Sequence, residues 1–155
     1  MVEFSHIADD RAQMVDISAK RDVVREAVAS GKIFLRPETL AAIREGTVVK
    51  GNVLATARVA ATLAVKDTPR LIPMCHAIPI GAITVDFSDG NGCIVATVRV
   101  KSTGKTGVEM EALVGVSTAL LTIWDMVKSA EKDANGQYPV TRIEEICVVE
   151  KRKGQ

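Results

Sequence analysis

The chain has 155 residues, enough for one well-formed core and too few for two independent domains. Lys and Arg number 20 against 19 Asp and Glu, and aromatics make up only 3%. Neither a polycationic surface nor an aromatic-interleaved basic stripe is present, which argues against nucleic acid as a main partner. With so few rings, the core must be built of Val, Ile, Leu and Ala. Cys75, Cys93 and Cys147 are an odd number with no C-x-x-C spacing, so neither a disulfide framework nor a zinc site is indicated, and reduced thiols fit the cytoplasm. The start, MVEFSHIADDRAQ, lacks an apolar signal core, and the longest apolar stretch, ALVGVSTALLTIW (112–124), is too short to span a bilayer. The expectation is one cytoplasmic domain over 1–155, without membrane attachment, whose ends at 1–20 and 151–155 are extended or flexible.

In chain order, RDVVREAVASGKIFL (21–35) is ambiguous: its composition permits a helix, while the closing KIFL prefers a strand. RPETLAAIREG (36–46) reads as a short helix, with Pro37 in the first turn, Leu40 and Ile43 on one face, and Gly46 ending it. A second helix is expected over KGNVLATARVAATLAVKD (50–67), where Val53, Ala57, Ala60, Ala61, Ala64 and Val65 recur at helical spacing. Its small residues permit close packing on a neighbour. LIPMCHAIPIG (71–81) carries two prolines and reads as an ordered loop. A hairpin follows: Ile83, Val85 and Phe87 alternate with polar residues, SDGNG turns, and Ile94, Ala96, Val98 and Val100 alternate back.

Residues 106–133 predict a long amphipathic helix whose apolar positions are 110, 113, 117 (a serine), 120, 121, 124 and 127. YPVTRIEEICVVEK (138–151) ends the pattern as a strand. If 21–35 also holds a strand, the order is β-α-β-β-α-β, an α+β ferredoxin-like fold. An antiparallel sheet then has helices packed on one face, and its bare face needs an oligomeric partner or other cover.

Two segments place a lysine and a glycine at a helix start: Lys50-Gly51, and STGKTG at 102–107. The second has the tail of a phosphate-binding loop, but the glycine required five residues before Gly104 is Arg99, so that motif fails. A lysine at a helix N-terminus is locally unfavourable unless an anion comes, so both segments hint at phosphate. Thr106-x-x-Glu109 fits a capping box, which accounts for Glu109 and leaves Met110 and Glu111 unexplained. Phosphate against two glutamates would be repelled. Carboxylates accepting N–H bonds from a guanine-like edge, with Met110 on the ring, fit better.

Asp125 and Lys128 lie three residues apart, about 60° around the helix axis, where most such pairs are weak surface ion pairs. Asp125 nevertheless interrupts an apolar run directly after Trp124, where partial burial would raise its pKa, and Lys128 supplies a proton donor or a cation for a leaving phosphate. His76 follows Cys75 in a proline-bracketed loop, and adjacent side chains seldom form a nucleophilic dyad. Substrate contact is the better reading for both.

Six motifs in order, MVDISAK (14–20), LRPETL (35–40), KGNVLATARVA (50–60), LIPMCH (71–76), TGKTGVEMEAL (103–113) and TIWDMVKSAEKD (122–133), resemble the cyclic pyranopterin monophosphate synthases, the molybdenum-cofactor biosynthesis protein C family. The resemblance implies a ferredoxin-like subunit in a hexamer, a trimer of dimers. It implies a lyase that converts (8S)-3′,8-cyclo-7,8-dihydroguanosine 5′-triphosphate to cyclic pyranopterin monophosphate and diphosphate. It implies Asp125 and Lys128 as catalytic residues, substrate binding by Met74, Cys75, His76, Met110 and Glu111, further active-site positions at Lys50 and Glu109, and a C-terminal lysine near the pocket at Lys151. No resident cofactor or metal is implied, and magnesium accompanying the triphosphate is left open. Three departures stand out: Asn52 for an aspartate, Ala77 for a proline, and a shortened tail, RKGQ.

The chemistry suits that family. The substrate carries about four negative charges, for which Lys50, Lys128 and Lys105 are available. Glu111 and Asp125 are 14 residues apart on one helix, roughly 21 Å along its axis, so a single small molecule touching both needs a second subunit. The alternative from another class is a non-catalytic nucleotide-sensing module on the same fold, which has no use for a proton-transfer pair.

Overall fold

The structure, a computed structural model, describes residues 11–154 and the backbone of residues 7–8. Two short strands, β1 (Ile7–Ala8) and β2 (Arg11–Ala12), pair as an antiparallel ribbon. The domain proper follows as β3 (Val23–Phe34), α1 (Pro37–Glu45), α2 (Val53–Leu71), β4 (Ile80–Gly90), β5 (Cys93–Gly104), α3 (Glu109–Glu131) and β6 (Arg142–Lys153). The last four strands form one antiparallel sheet in the order β4-β5-β3-β6, with α2 and α3 side by side on one face. This is the ferredoxin-like α+β arrangement that the element order predicts.

The ambiguous segment 21–35 resolves as β3. Its small and branched apolar residues recur every second position, so Ala27, Ala29 and Ile33 all face the helices and are buried. The strand β6 continues through Lys153, so residues 151–153 are extended and ladder-bonded beside Arg25, Glu26 and Ala27. Residues 1–6, 9 and 10 of the expected N-terminal extension lie outside the described residues.

The second helix runs past its predicted end, through Pro69 to Leu71. A proline this near the C-terminus removes a single ladder bond, and the Ile72 N–H on the Thr68 carbonyl (2.9 Å) keeps the last turn closed. At its start, Asn52 accepts from the Ala55 N–H (2.9 Å). Asparagine therefore caps the helix much as an aspartate would.

The buried stripe of α3 differs from the predicted one. Ala112, Gly115, Val116, Ala119, Leu120, Ile123 and Val127 face the core, while Leu121 is exposed and Leu113 and Trp124 are only partly covered. Small residues decide the orientation. They let α3 lie against Ala57, Ala61 and Val65 of α2 and against the Ala96 and Val98 row of β5. A Cβ on Gly115 would come within 2.8 Å of Val65 Cγ2 and 3.1 Å of Val98 Cγ1. By length and composition α3 could cross a membrane, but this stripe makes it the core helix of the domain.

The uncovered face of the sheet presents interleaved charge: Glu26 pairs with Arg99 and with Lys101 (3.1 Å), and Arg99 approaches Glu150 (3.9 Å). At the far end of α3 the fully buried Glu131 accepts from the Arg36 N–H (3.2 Å) and the Thr141 hydroxyl (2.5 Å). Glu131 can be buried there because two other chain segments donate to it, fixing the starts of α1 and β6 to the end of α3.

Candidate active site

Two groups of polar side chains sit at opposite ends of α3. At its N-terminal end a cavity of about 460 Å³ is lined by three segments. The loop between α2 and β4 supplies Met74, Cys75 and His76; the start of α3 supplies Glu109, Met110 and Glu111; the segment before β3 supplies Val15, Ile17 and Lys20. Six of the seven residues expected to bind substrate thus meet in one place. The seventh, Lys50, is at the other end.

Glu109 is not part of a capping box. The helix begins with Glu109 as its first residue after Val108, which makes no side-chain cap, so the carboxylate is two positions too early to reach back to Thr106. It folds over Gly107, where any Cβ would overlap it, and pairs with Lys151 of β6. Burial pushes its pKa up, but the Lys151 hydrogen bond and charge, with the nearby charge of Arg25, prevail and hold it below the usual carboxylate value.

Glu111 behaves in the opposite way. It is 3% exposed, and burial, with the charge of Glu109 adding to it, raises its pKa. Cys75 beside it is also pushed up, by burial and then by Glu111, so it is held as a thiol rather than an attacking thiolate. The His76 ring places Nε2 2.7 Å from the Val15 carbonyl. A carbonyl only accepts, so Nε2 carries the proton and Nδ1 is left for another partner. Met110 is partly exposed at the cavity wall.

A raised Glu111 pKa has a consequence for stability. Between the unfolded and folded values the native state binds the extra proton, so Glu111 lowers stability as pH rises through its folded pKa. Glu111→Gln is therefore expected to remove that loss, giving a higher Tm than the parent near neutral pH and little difference in acid. Thermal unfolding across pH checks it. An equal or lower Tm at neutral pH would show that Glu111 is not strained by burial.

The second group lies about 21 Å away along α3. Lys128 Nζ is 2.7 Å from Asp125 Oδ1, while Lys50 Nζ donates to the Asp125 carbonyl (2.7 Å) and approaches Oδ2 (3.4 Å). Lys50 precedes α2, so segments remote in sequence meet here. The expectation that burial raises the Asp125 pKa is corrected: its side chain is 60% exposed, and Lys128 first and Lys50 second hold it below the usual range. Lys128 is raised in turn by Asp125. The Asp125 carboxylate thus lies between the Nζ atoms of two lysines, one from its own helix and one from just ahead of α2. Lys50 also lines a groove of about 380 Å³ between α1 and α3, beside Val48 and the fully exposed Val49.

Neither lysine near a glycine bends over its own helix start. Lys50 reaches across to Asp125, and Lys105 bonds the backbone at Ser18 and Lys20. Sequence reasoning missed Val15, Ile17 and Lys20 as cavity wall. The alternation of Val15 and Ile17 was a visible signal, but nothing local shows which loop they close over. Among the described residues, no three His, Cys, Asp or Glu side chains are grouped to hold a metal ion.

Fold and site together define a class: a ferredoxin-like α+β subunit with a partly acidic cavity at one end of its core helix and a cluster of Lys50, Asp125 and Lys128 at the other. The chain belongs to the MoaC family, whose pattern matches residues 14–154. It is 83% identical, over the full length of both chains, to a protein of Methanoregula boonei named "Probable cyclic pyranopterin monophosphate synthase". Proteins with the same name from Methanospirillum hungatei and Thermococcus onnurineus are 72% and 57% identical, each alignment covering 99% of this chain and 98% of the relative.

Proposed function

We propose that this protein is a cyclic pyranopterin monophosphate synthase, a lyase that rearranges (8S)-3′,8-cyclo-7,8-dihydroguanosine 5′-triphosphate to cyclic pyranopterin monophosphate and releases diphosphate. The observation that carries this reading is the meeting of Lys50, Asp125 and Lys128 from distant segments, since a proton-transfer group has no purpose in a module that only binds. The cavity volume of about 460 Å³ is in the range of small-molecule sites.

The proposed roles follow from the electrostatics. Glu111 and Glu109 accept N–H bonds from the guanine-derived edge, with Met110 packed on the ring and Met74 and Cys75 lining the pocket. Ionised Asp125 takes the proton from the hydroxyl that attacks the α-phosphorus. As that oxygen–phosphorus bond forms, the bond to the β-phosphate oxygen breaks and diphosphate leaves. Lys128, held protonated by Asp125, and Lys50 beside it stabilise the charge gathering on it. His76 offers its free Nδ1 to the substrate. The reaction is redox-neutral and asks for no thiolate; magnesium, if it accompanies the triphosphate, comes as part of the substrate.

One protomer leaves Glu111 and Asp125 too far apart for one nucleotide-sized molecule. The reading therefore includes a homo-oligomer, a hexamer built as a trimer of dimers, in which a site takes its recognition end from one chain and its acid–base group from another. A cytoplasmic setting suits the three free thiols. Incubation with the cyclised triphosphate, following diphosphate release, is expected to show turnover. A folded, assembled protein that releases none removes the assignment.

A further inference from the structure

Lys105 is the residue that made STGKTG look like a phosphate loop, yet its ammonium is turned away from any such use. It donates to the Lys20 carbonyl at 2.5 Å and the Ser18 carbonyl at 3.4 Å, and lies 3.8 Å from an Asp22 carboxylate oxygen. The ammonium thus spends two of its three N–H donors on backbone carbonyls of one short segment, with the Asp22 carboxylate nearby as an ion-pair partner. That segment already forms a turn, with the Lys20 N–H on the Ile17 carbonyl (3.0 Å) and the Ser18 N–H on Asp16 Oδ1 (2.8 Å). Lys105 closes the turn from below. Behind it Arg25, whose Nη2 approaches the Lys105 carbonyl (3.5 Å), buttresses the β5–α3 connection.

What the turn presents is Lys20. Lys20 lines the cavity with Val15 and Ile17, and among the described residues no hydrogen bond or ion pair holds its ammonium. The segment is also fastened by the His76 ring on the Val15 carbonyl. Residues 13–22 are otherwise largely exposed, so little buried surface fixes their path.

We infer that Lys105 is a positioning residue: it spends its charge on the backbone of residues 18–20 so that Lys20, the free cation of the pair, contacts a phosphate of an anionic ligand on the cavity wall made by residues 15–20, leaving Glu109 and Glu111 to its base. The inference rests on the proposed triphosphate substrate for its catalytic readout. The two lysines then act as one unit. Removing either costs the same contact, and removing both costs little more.

The test compares Lys105→Met, Lys105→Arg, Lys20→Met and the double methionine variant in the assembled protein. Hydrogen exchange is expected to quicken over residues 14–20 in Lys105→Met and to stay unchanged in α3 in every variant. KM for the cyclised triphosphate should rise about tenfold to a hundredfold in each single methionine variant, more than kcat falls, as befits the loss of one charged contact. Lys105→Arg should recover most of it, and the double variant should match the worse single one. Full additivity would make Lys105 an independent phosphate ligand, and unchanged exchange would show that it holds nothing; either result overturns the inference. Calorimetric binding of inorganic triphosphate separates the two proposals. A wild type that binds it but turns over no substrate defeats the assigned reaction, while equal, non-additive weakening by Lys20→Met and Lys105→Met still upholds the pin.

Discussion

Exchanging Asp125 for asparagine is expected to lower kcat by about 10²–10⁴-fold, the usual span for removing a proton-transfer group, with a much smaller change in KM. The substitution keeps the size of the side chain and deletes its charge. Asp125 is exposed and packs against nothing in the core, so the fold has little to lose, and Tm should stay within about 2 °C of the parent. Diphosphate release and thermal unfolding on one preparation decide the matter. Retained turnover with an intact fold would move the acid–base chemistry elsewhere and revive a binding-only module. The carboxylate is held below its ordinary pKa by two lysines, so the acid limb of the pH–rate profile should lie below the pH at which a free aspartate titrates. Removing Lys128 should shift that limb upward, because the largest stabiliser of the ionised form is gone.

The second large effect concerns the assembly. Glu111→Ala alone and Asp125→Ala alone should each be nearly inactive, yet subunits of the two variants mixed at equal ratio and reassembled should regain about a quarter of the parental activity. The fraction follows from counting. If one chain supplies Glu111 and its neighbour Asp125, half the chains offer the first intact and half the second, so one site in about four is whole. Reassembled mixtures that stay inactive would place both residues of each site in the same chain, and the 21 Å argument would fail with them.

Much of the fold can be read from the sequence, and the failures have physical causes. The hairpin β4–β5 and helix α1 are legible because their alternation, turn glycines and first-turn proline act locally. The strand β3 is not, since Ala27 and Ala29 suit either conformation and only the sheet on both sides decides. The face of α3 misleads because large side chains such as Leu113, Leu121 and Trp124 dominate a hydropathy pattern, while the contact surface is chosen by Ala112, Gly115 and Ala119, which weigh little. At the site, the pairing of Asp125 with Lys128 follows from helical spacing alone. That Lys50 joins them, or that Glu109 belongs to Lys151 rather than to Thr106, depends on long-range geometry that no local rule contains. The grouping of residues 74–76 with 109–111 came through the family resemblance, not through periodicity.

The alanine and glycine seam between α2 and α3 sets a limit on how this protein can respond to a ligand. Backbones that touch with almost no side chain between them have no slack, so α3 is a strut of constant length whose ends cannot approach each other. Whatever adjustment a ligand's arrival demands falls on the segment ahead of β3 and on the loop bearing His76. Selectivity should drift readily with changes in those two stretches, while the chemistry at the far end of the strut stays as it was.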